Sequence, residues 1–323
     1  RAGWHRICPK PPYIPPKPIP RRLPERKRMT IALGILAREG VVIAADTQES
    51  WGYMGGAKIS GYKILTCTLP HQGRACSATG AGSAGYIDAL NQELTDNFIA
   101  VEDPENIERR FREKVLKFYN AHVLPNHALS PMEQPRADVI VGITWAGRKP
   151  VLLANERSTL RRCKQYVAVG AGREHASMLL SRLLPPPRET TADVAALIAA
   201  YTIFHVKSYI EGCGMGTHVT VLQDGIGKYL SPTAVERLEG LFTAYLRFDE
   251  LAVTYMLGWP VINEQQTDKT MIDYLKSLRK GTLGLPHLAL TAGEPNIWEP
   301  PGFAILNQSC FVQVAGEAVT GAI

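Results

Sequence analysis

The stretch that most constrains this chain is residues 31–46, two short runs of β-branched and apolar residues split by a polar turn. Ile31-Ala32-Leu33-Gly34-Ile35 comes first, then Ala37-Arg38-Glu39-Gly40, then Val41-Val42-Ile43-Ala44-Ala45-Asp46. Paired runs of this kind predict a β-hairpin. Asp46 closes the second run, and Lys63 opens the next one, Lys63-Ile64-Leu65. A charge beside a buried strand is costly unless it is paired. The order therefore predicts that Thr30, at the start of one strand, Asp46, at the end of its neighbour, and Lys63, on a third, meet at one sheet edge.

That meeting has a chemical use. A Thr hydroxyl is a weak nucleophile until a base takes its proton, and the α-amine of an N-terminal Thr can be that base. A Lys held by an Asp favours deprotonation of amine and hydroxyl through its positive field. The oxyanion that follows needs backbone N–H donors, which tight glycine turns present. Thr79-Gly80-Ala81-Gly82-Ser83-Ala84-Gly85 offers such a turn ahead of a helical pattern at Ile87, Leu90, Leu94 and Phe98.

In this order, Thr30-x-x-x-Gly34, Gly40-Val-Val-Ile-Ala-Ala-Asp46, Lys63-Ile-Leu and Ala81-Gly-Ser-Ala84 resemble the proteasome β-subunit and HslV-like family of N-terminal nucleophile (Ntn) hydrolases. The resemblance implies a proteasome-like α+β fold, a four-layer αββα sandwich. It implies Thr30 as the catalytic threonine, Asp46 as the catalytic aspartate and Lys63 as the catalytic lysine, with one extra residue before Lys63. Gly82 falls on the glycine whose N–H lines the oxyanion hole. Gln48 stands where many proteasome β-subunits have Arg and where HslV has Gln. The similarity continues through Tyr166–Gly172 and ends near Gly225. At Ile210-Glu211-Gly212-Cys213-Gly214-Met215-Gly216 it departs: Ile210 and Cys213 stand where the family has a bracing Asp and Ser, and Glu211 serves for the Asp only with a shift of one.

The ends of the chain differ from this body. Residues 1–28 hold eight prolines and nine basic residues against one acid, so they carry +8 of a net +6 and leave the remainder at −2. A Pro-rich basic segment favours extended polyproline II and has little to bury. It reads as a tail or propeptide, and its charge is weak grounds for nucleic-acid binding. The body is 29–231, and 232–323 is a C-terminal extension in which no chemistry is legible. Ser231 or Thr233 is expected to cap a helix through Leu246, with further helices at Asp249–Leu257 and Asp268–Leu278 and an extended run at Phe303–Val314.

Between these ends the periodicity predicts a strand at Arg74–Thr79 and helices at Ser83–Ala100 and Glu105–Val123. A hairpin follows at Asp138–Thr144 and Val151–Ala154, then a strand at Tyr166–Val169. Helices at Glu174–Leu184 and Ala192–Tyr209, with Thr191 as N-cap, precede a strand at Thr217–Leu222.

The 45% hydrophobic and 20% charged composition is that of a globular protein. No apolar run approaches the ~20 residues that span a bilayer, and no secretory-signal order opens the chain. The expected location is cytoplasmic, with reduced thiols. The six cysteines lack C-x-x-C spacing, so no zinc site is indicated, and no cofactor is expected.

The favoured function is a threonine-type peptidase acting on peptides or proteins. By resemblance it works as a homo-oligomeric ring, with an ATPase as a candidate partner. It requires that Thr30 be freed from Met29. The competing reading is a non-catalytic structural or binding subunit of the same fold, with residues 1–29 retained and Thr30 a plain strand residue.

Overall fold

The expected hairpin forms. β1 (Ile31–Leu36) and β2 (Gly40–Asp46) pair antiparallel, with Ala32 opposite Ala45 and Leu36 opposite Val41. The computed structural model describes residues 30–50, 58–100, 103–126 and 135–256, with five positions between 269 and 276. The expected tail at 1–28 and the run at Phe303–Val314 lie outside the described residues.

The hairpin is the centre of a five-stranded antiparallel sheet. In chain order its other strands are β10 (Tyr166–Gly170), β11 (Thr217–Gln223) and β12 (Ile226–Tyr229), and the sheet order is β10-β1-β2-β11-β12. A second antiparallel sheet has the order β5-β6-β7-β8-β9. Its strands are β5 (Leu65–Leu69), β6 (Arg74–Gly82), β7 (Ala137–Trp145), β8 (Val151–Glu156) and β9 (Thr159–Arg162). A short pair, β3 (Gln48–Ser50) and β4 (Lys58–Ser60), projects beyond β2.

Both faces of the hairpin are covered, which is why its strands read as unbroken apolar runs. Ile31, Leu33, Ile35, Val42 and Ala44 join one core with α3 (Arg173–Leu183), α4 (Ala192–Tyr209) and α5 (Pro232–Met256). Ala32, Val41, Ile43 and Ala45 face the other way, onto Ile140, Leu152 and Ala154 of the second sheet. Gly34 makes this contact close: a Cβ there would lie 2.7 Å from a Leu152 methyl. A third core joins the second sheet to α1 (Ala84–Ala100) and α2 (Pro104–Phe118). Ile87, Leu90, Leu94 and Phe98 form one buried stripe, and Ile107, Phe111, Val115 and Phe118 the other. Each buried apolar side chain in these stripes stabilises by about 1.5–3 kcal/mol.

α4 packs differently. It lays Ala192, Ala195, Ala196, Ala199 and Ala200 against β1 and β2, and these small residues let the helix sit close. Thr191 caps it, its hydroxyl accepting from the Val194 N–H at 3.3 Å.

The described residues adjust several expected boundaries. β6 runs on through Gly82, so the residues read as a glycine turn are mostly strand. The helix expected to reach Val123 stops at Phe118 and continues as a π-turn over Tyr119–Val123. The helix from Ser231 and the one from Asp249 are a single helix, α5, with the Ser231 hydroxyl accepting from the Ala234 N–H at 3.2 Å.

Candidate active site

Thr30 precedes β1, Asp46 ends β2, and Lys63 lies in the strandless segment that leads into β5. The expected single sheet edge is therefore corrected. Thr30 and Asp46 come from the first sheet, and Lys63 reaches them from the approach to the second. The physical reason is the face-to-face stacking of the two sheets, which brings that approach over the open end of the hairpin.

The Lys63 Nζ donates to Thr30 Oγ1 at 3.0 Å, to Asp46 Oδ1 at 2.8 Å, and to the Gln48 carbonyl. An ammonium has three N–H groups and no acceptor, so all its donors are engaged. It therefore cannot take a proton from Thr30 in this arrangement, but it stabilises negative charge on the Thr30 oxygen. The Thr30 hydroxyl hydrogen is left to point elsewhere.

Asp46 is fully buried and Lys63 nearly so, with side-chain exposures of 0% and 9%. The carboxylate is saturated with donors. Oδ1 also accepts from the Ile31 N–H at 3.2 Å, and Oδ2 from the Gly214 N–H at 3.0 Å. Burial pushes the Asp46 carboxyl above its ordinary value, and the Lys63 ammonium and these N–H groups oppose that push. One carboxylate thus grips the cation and the backbone beside Thr30 together.

Thr30 is further fixed by its own carbonyl, which accepts from the Ala171 N–H at 2.8 Å. Gly170 makes this approach feasible: it has φ +100°, and a Cβ there would lie 2.1 Å from the Thr30 oxygen.

The loop at 210–216 reaches the site through its backbone. Gly214 donates to Asp46, the Gly212 carbonyl accepts from Gln48 Nε2 at 3.1 Å, and Gly216 donates to Thr47 Oγ1 at 2.9 Å. Ile210 packs on the outer core, and Cys213 is buried. Burial, with Asp46 nearby, pushes the Cys213 thiol up to about 12, so it stays protonated and is no nucleophile.

Gly82 closes β6, paired with Ala137, and is exposed. Its φ is +137°, and a Cβ would lie 2.2 Å from the Arg136 carbonyl. Its neighbour Ala81 lies near Gly170, since a Cβ on Gly170 would be 3.1 Å from that of Ala81. The geometry thus brings Thr30, Asp46 and Lys63 into direct contact and sets Gly82 at the end of a strand whose preceding residue adjoins the seat of Thr30. Thr47, Gly170, Ala171 and Gly214 belong to the same constellation and were not foreseen. The alternating glycines at 212, 214 and 216 were the available signal.

Among the described residues, no group of three or more His, Cys, Asp and Glu side chains could hold a metal ion. No described helix is long and apolar enough to cross a membrane.

No protein-family profile and no curated protein sequence matches the chain. Solved structures do. The Anbu complex from Pseudomonas aeruginosa, described as a helical assembly, aligns with TM-score 0.56 at 15% identity, covering 73% of this chain and 99% of that one. Anbu (ancestral beta-subunit) from Yersinia bercovieri aligns with TM-score 0.55 at 13% identity, covering 72% and 100%. The Anbu (Gly-1) mutant from Hyphomicrobium sp. strain MC1 gives 0.54, 15%, 68% and 95%.

These matches carry the fold: mixed α/β, with two antiparallel sheets and flanking helices, of the proteasome-like type. They correct the resemblance drawn from the sequence. The structural neighbours are Anbu proteins, a family distinct from the proteasome β-subunit and HslV-like group. Gln48 had pointed towards HslV, but its amide is spent on the Gly212 carbonyl, a local structural use that does not separate one family from another.

Proposed function

We propose that this chain is a threonine-type peptidase of the N-terminal nucleophile class, with Thr30 as nucleophile. The observation that carries the reading is the Lys63 ammonium, 3.0 Å from the Thr30 hydroxyl oxygen and 2.8 Å from a fully buried carboxylate. The hydroxyl that fills the ammonium's third donor is that of the residue at the head of β1, where a nucleophile with its own amine as base would stand.

The chemistry begins with hydrolysis of the peptide bond between Met29 and Thr30, which frees the Thr30 α-amine. That amine takes the hydroxyl proton as Oγ1 attacks the substrate carbonyl carbon. Lys63 stabilises the developing charge on Oγ1, and the Gly82 N–H serves the oxyanion. The amine then returns its proton to the leaving nitrogen as the C–N bond breaks. Water hydrolyses the acyl ester and regenerates Thr30.

In this reading the helices and sheets stack as four αββα layers, and 29–231 is the catalytic body with 232–323 appended. Copies assemble into an oligomer that sequesters the sites, as the helical assembly of the Pseudomonas protein suggests. Peptides or proteins are the substrates, an ATPase is a candidate partner, and the setting is cytoplasmic.

The test joins intact mass with labelling by an electrophile directed at N-terminal Thr. A mature chain beginning at Thr30, labelled in wild type and unlabelled in Thr30→Ala, is the expected result. A chain that keeps residues 1–29 and never labels would instead establish the non-catalytic subunit. Equal labelling of the Ala variant would remove Thr30 as nucleophile.

A further inference from the structure

Lys63 sits on a segment with no strand pairing of its own, so something else must hold it. Two hydrogen bonds tie its backbone: the Gly61 N–H to the Thr47 carbonyl at 2.8 Å, and the Thr79 hydroxyl to the Lys63 carbonyl at 2.9 Å. The third hold is aromatic. Tyr62, the residue before Lys63, lays its ring against His218 of β11, with centroids 4.6 Å apart and planes at 47°. The Tyr62 hydroxyl is bonded to Tyr229 of β12, and Tyr229 to Thr66 of β5. Tyr62 and Tyr229 remain 39% and 43% exposed, so this wall stands at the open side of the site.

His218 lies on the face of β11 turned to the second sheet. Val219 and Val221 point into the outer core, Leu222 into the core between sheets, and Ala45 is the partner of His218 across the ladder. Its Nδ1 is buried and has no hydrogen-bond partner. Such an atom costs free energy where it stands, which calls for an explanation beyond packing.

We propose that His218 is a positioning residue for Lys63: its uncharged ring is the platform on which the 61–64 segment rests, and protonation of that ring releases the segment. The charged and titratable groups around it fit this role. Lys63 faces it from the 61–64 segment, with Tyr62 beside it. Asp46 on β2 has its charge committed to Lys63 and two backbone N–H groups, Tyr229 on β12 is held neutral by burial, and Cys67 on β5 is buried and unbridged. Burial, and then the Lys63 ammonium, push the His218 imidazole down to about 4. Above that pH the ring is a neutral surface for Tyr62. Below it, a second cation lies beside Lys63 and repels it.

The kinetic arm of the test rests on the threonine-nucleophile reading, and the spectroscopic arm does not. In wild type, the His218 ring proton and the Lys63 side-chain carbon resonance, assigned with Lys63→Arg, are expected to shift together in one acid step. In His218→Phe, which keeps an aromatic platform, and in His218→Gln, which keeps a polar one, the Lys63 step should vanish from that pH. Protonation of the Thr30 amine lowers labelling in acid in both proteins, so the readout is their ratio: below the step, wild-type Thr30 labelling should fall about tenfold more per pH unit than that of His218→Phe. The proposal is overturned if Lys63 shows the same step at the same pH in both variants, or if His218 titrates without moving Lys63. A wild type that never labels removes the peptidase reading, and the resonances still decide the role of His218.

Discussion

Two of the buried polar clusters among the described residues work on different terms. One is Asp46 with Lys63, Thr30 and the glycine loop at 212–216. The other is Asn155 on β8, which donates to the Ala137 carbonyl at 2.8 Å and the Arg157 carbonyl at 2.7 Å, and accepts from the Val139 N–H. Tyr119 completes it, its hydroxyl donating to the same Ala137 carbonyl at 2.8 Å. The second cluster is neutral and draws its partners from the second sheet, its β-turn and the π-turn after α2. It is satisfied locally and leaves no reactive atom aside. The first joins the two sheets through a full charge pair and presents a hydroxyl to an ammonium. A neutral amide suffices to pin a turn, whereas a charge pair with a nucleophile as third partner is suited to chemistry, at the cost of sensitivity to pH and to loss of either partner.

The largest effect that would break this contrast comes from Lys63→Met. It strands Asp46, fully buried, with its charge uncompensated. Removing one partner of a buried pair costs about 3–5 kcal/mol, to be read by urea unfolding, and Thr30 labelling should fall by at least about a hundredfold. A loss under about 1 kcal/mol would mean that water, and not Lys63, carries the Asp46 charge.

Asn155→Ala probes the other side. It leaves the Val139 N–H and the Arg157 carbonyl without this partner, and unsatisfied buried groups cost about 1–3 kcal/mol. Tyr119 still donates to Ala137, the residue opposite Gly82, so the strand end beside the site keeps its place. Stability should drop while the Thr30 labelling rate stays unchanged. A labelling loss as large as that of Lys63→Met would show that the two clusters are one unit.

Much of this architecture could be read before any coordinates. The unbroken apolar run from Val41 to Ala45 and the stripes on α1 and α2 follow from a strand buried on both faces and from helices buried on one. The grouping of Thr30, Asp46 and Lys63 followed from the need of buried charges for partners and from an ordered match. What escaped was backbone. Gly214 and Ala171 act through N–H groups that every residue but proline carries, so no letter marks them. The origin of Lys63 on the second sheet's approach escaped as well, because sheet-on-sheet stacking has no local signature. The family distinction escaped too, since Gln48 is occupied by a loop contact that many related sites could use.

The smallest effect separates the clusters by titration. Asn155 and its partners carry no charge between pH 5 and 7, so their contribution is level there. His218 differs. Its ordinary value is 6.5 and the fold lowers it to about 4, so the folded state resists the proton that the unfolded chain accepts. The stability it contributes is complete above about 6.5 and is lost as pH falls towards about 4. Between pH 7 and pH 5 the loss should be about 1–2 kcal/mol. Paired urea titrations at these two pH values on wild type and His218→Phe measure it, since all other groups are common to both. The phenylalanine variant should lose less stability on acidification by that amount. Equal losses would place His218 at its ordinary value in the fold, and the pH sensitivity of the charged cluster would then belong to Asp46 and Lys63 alone.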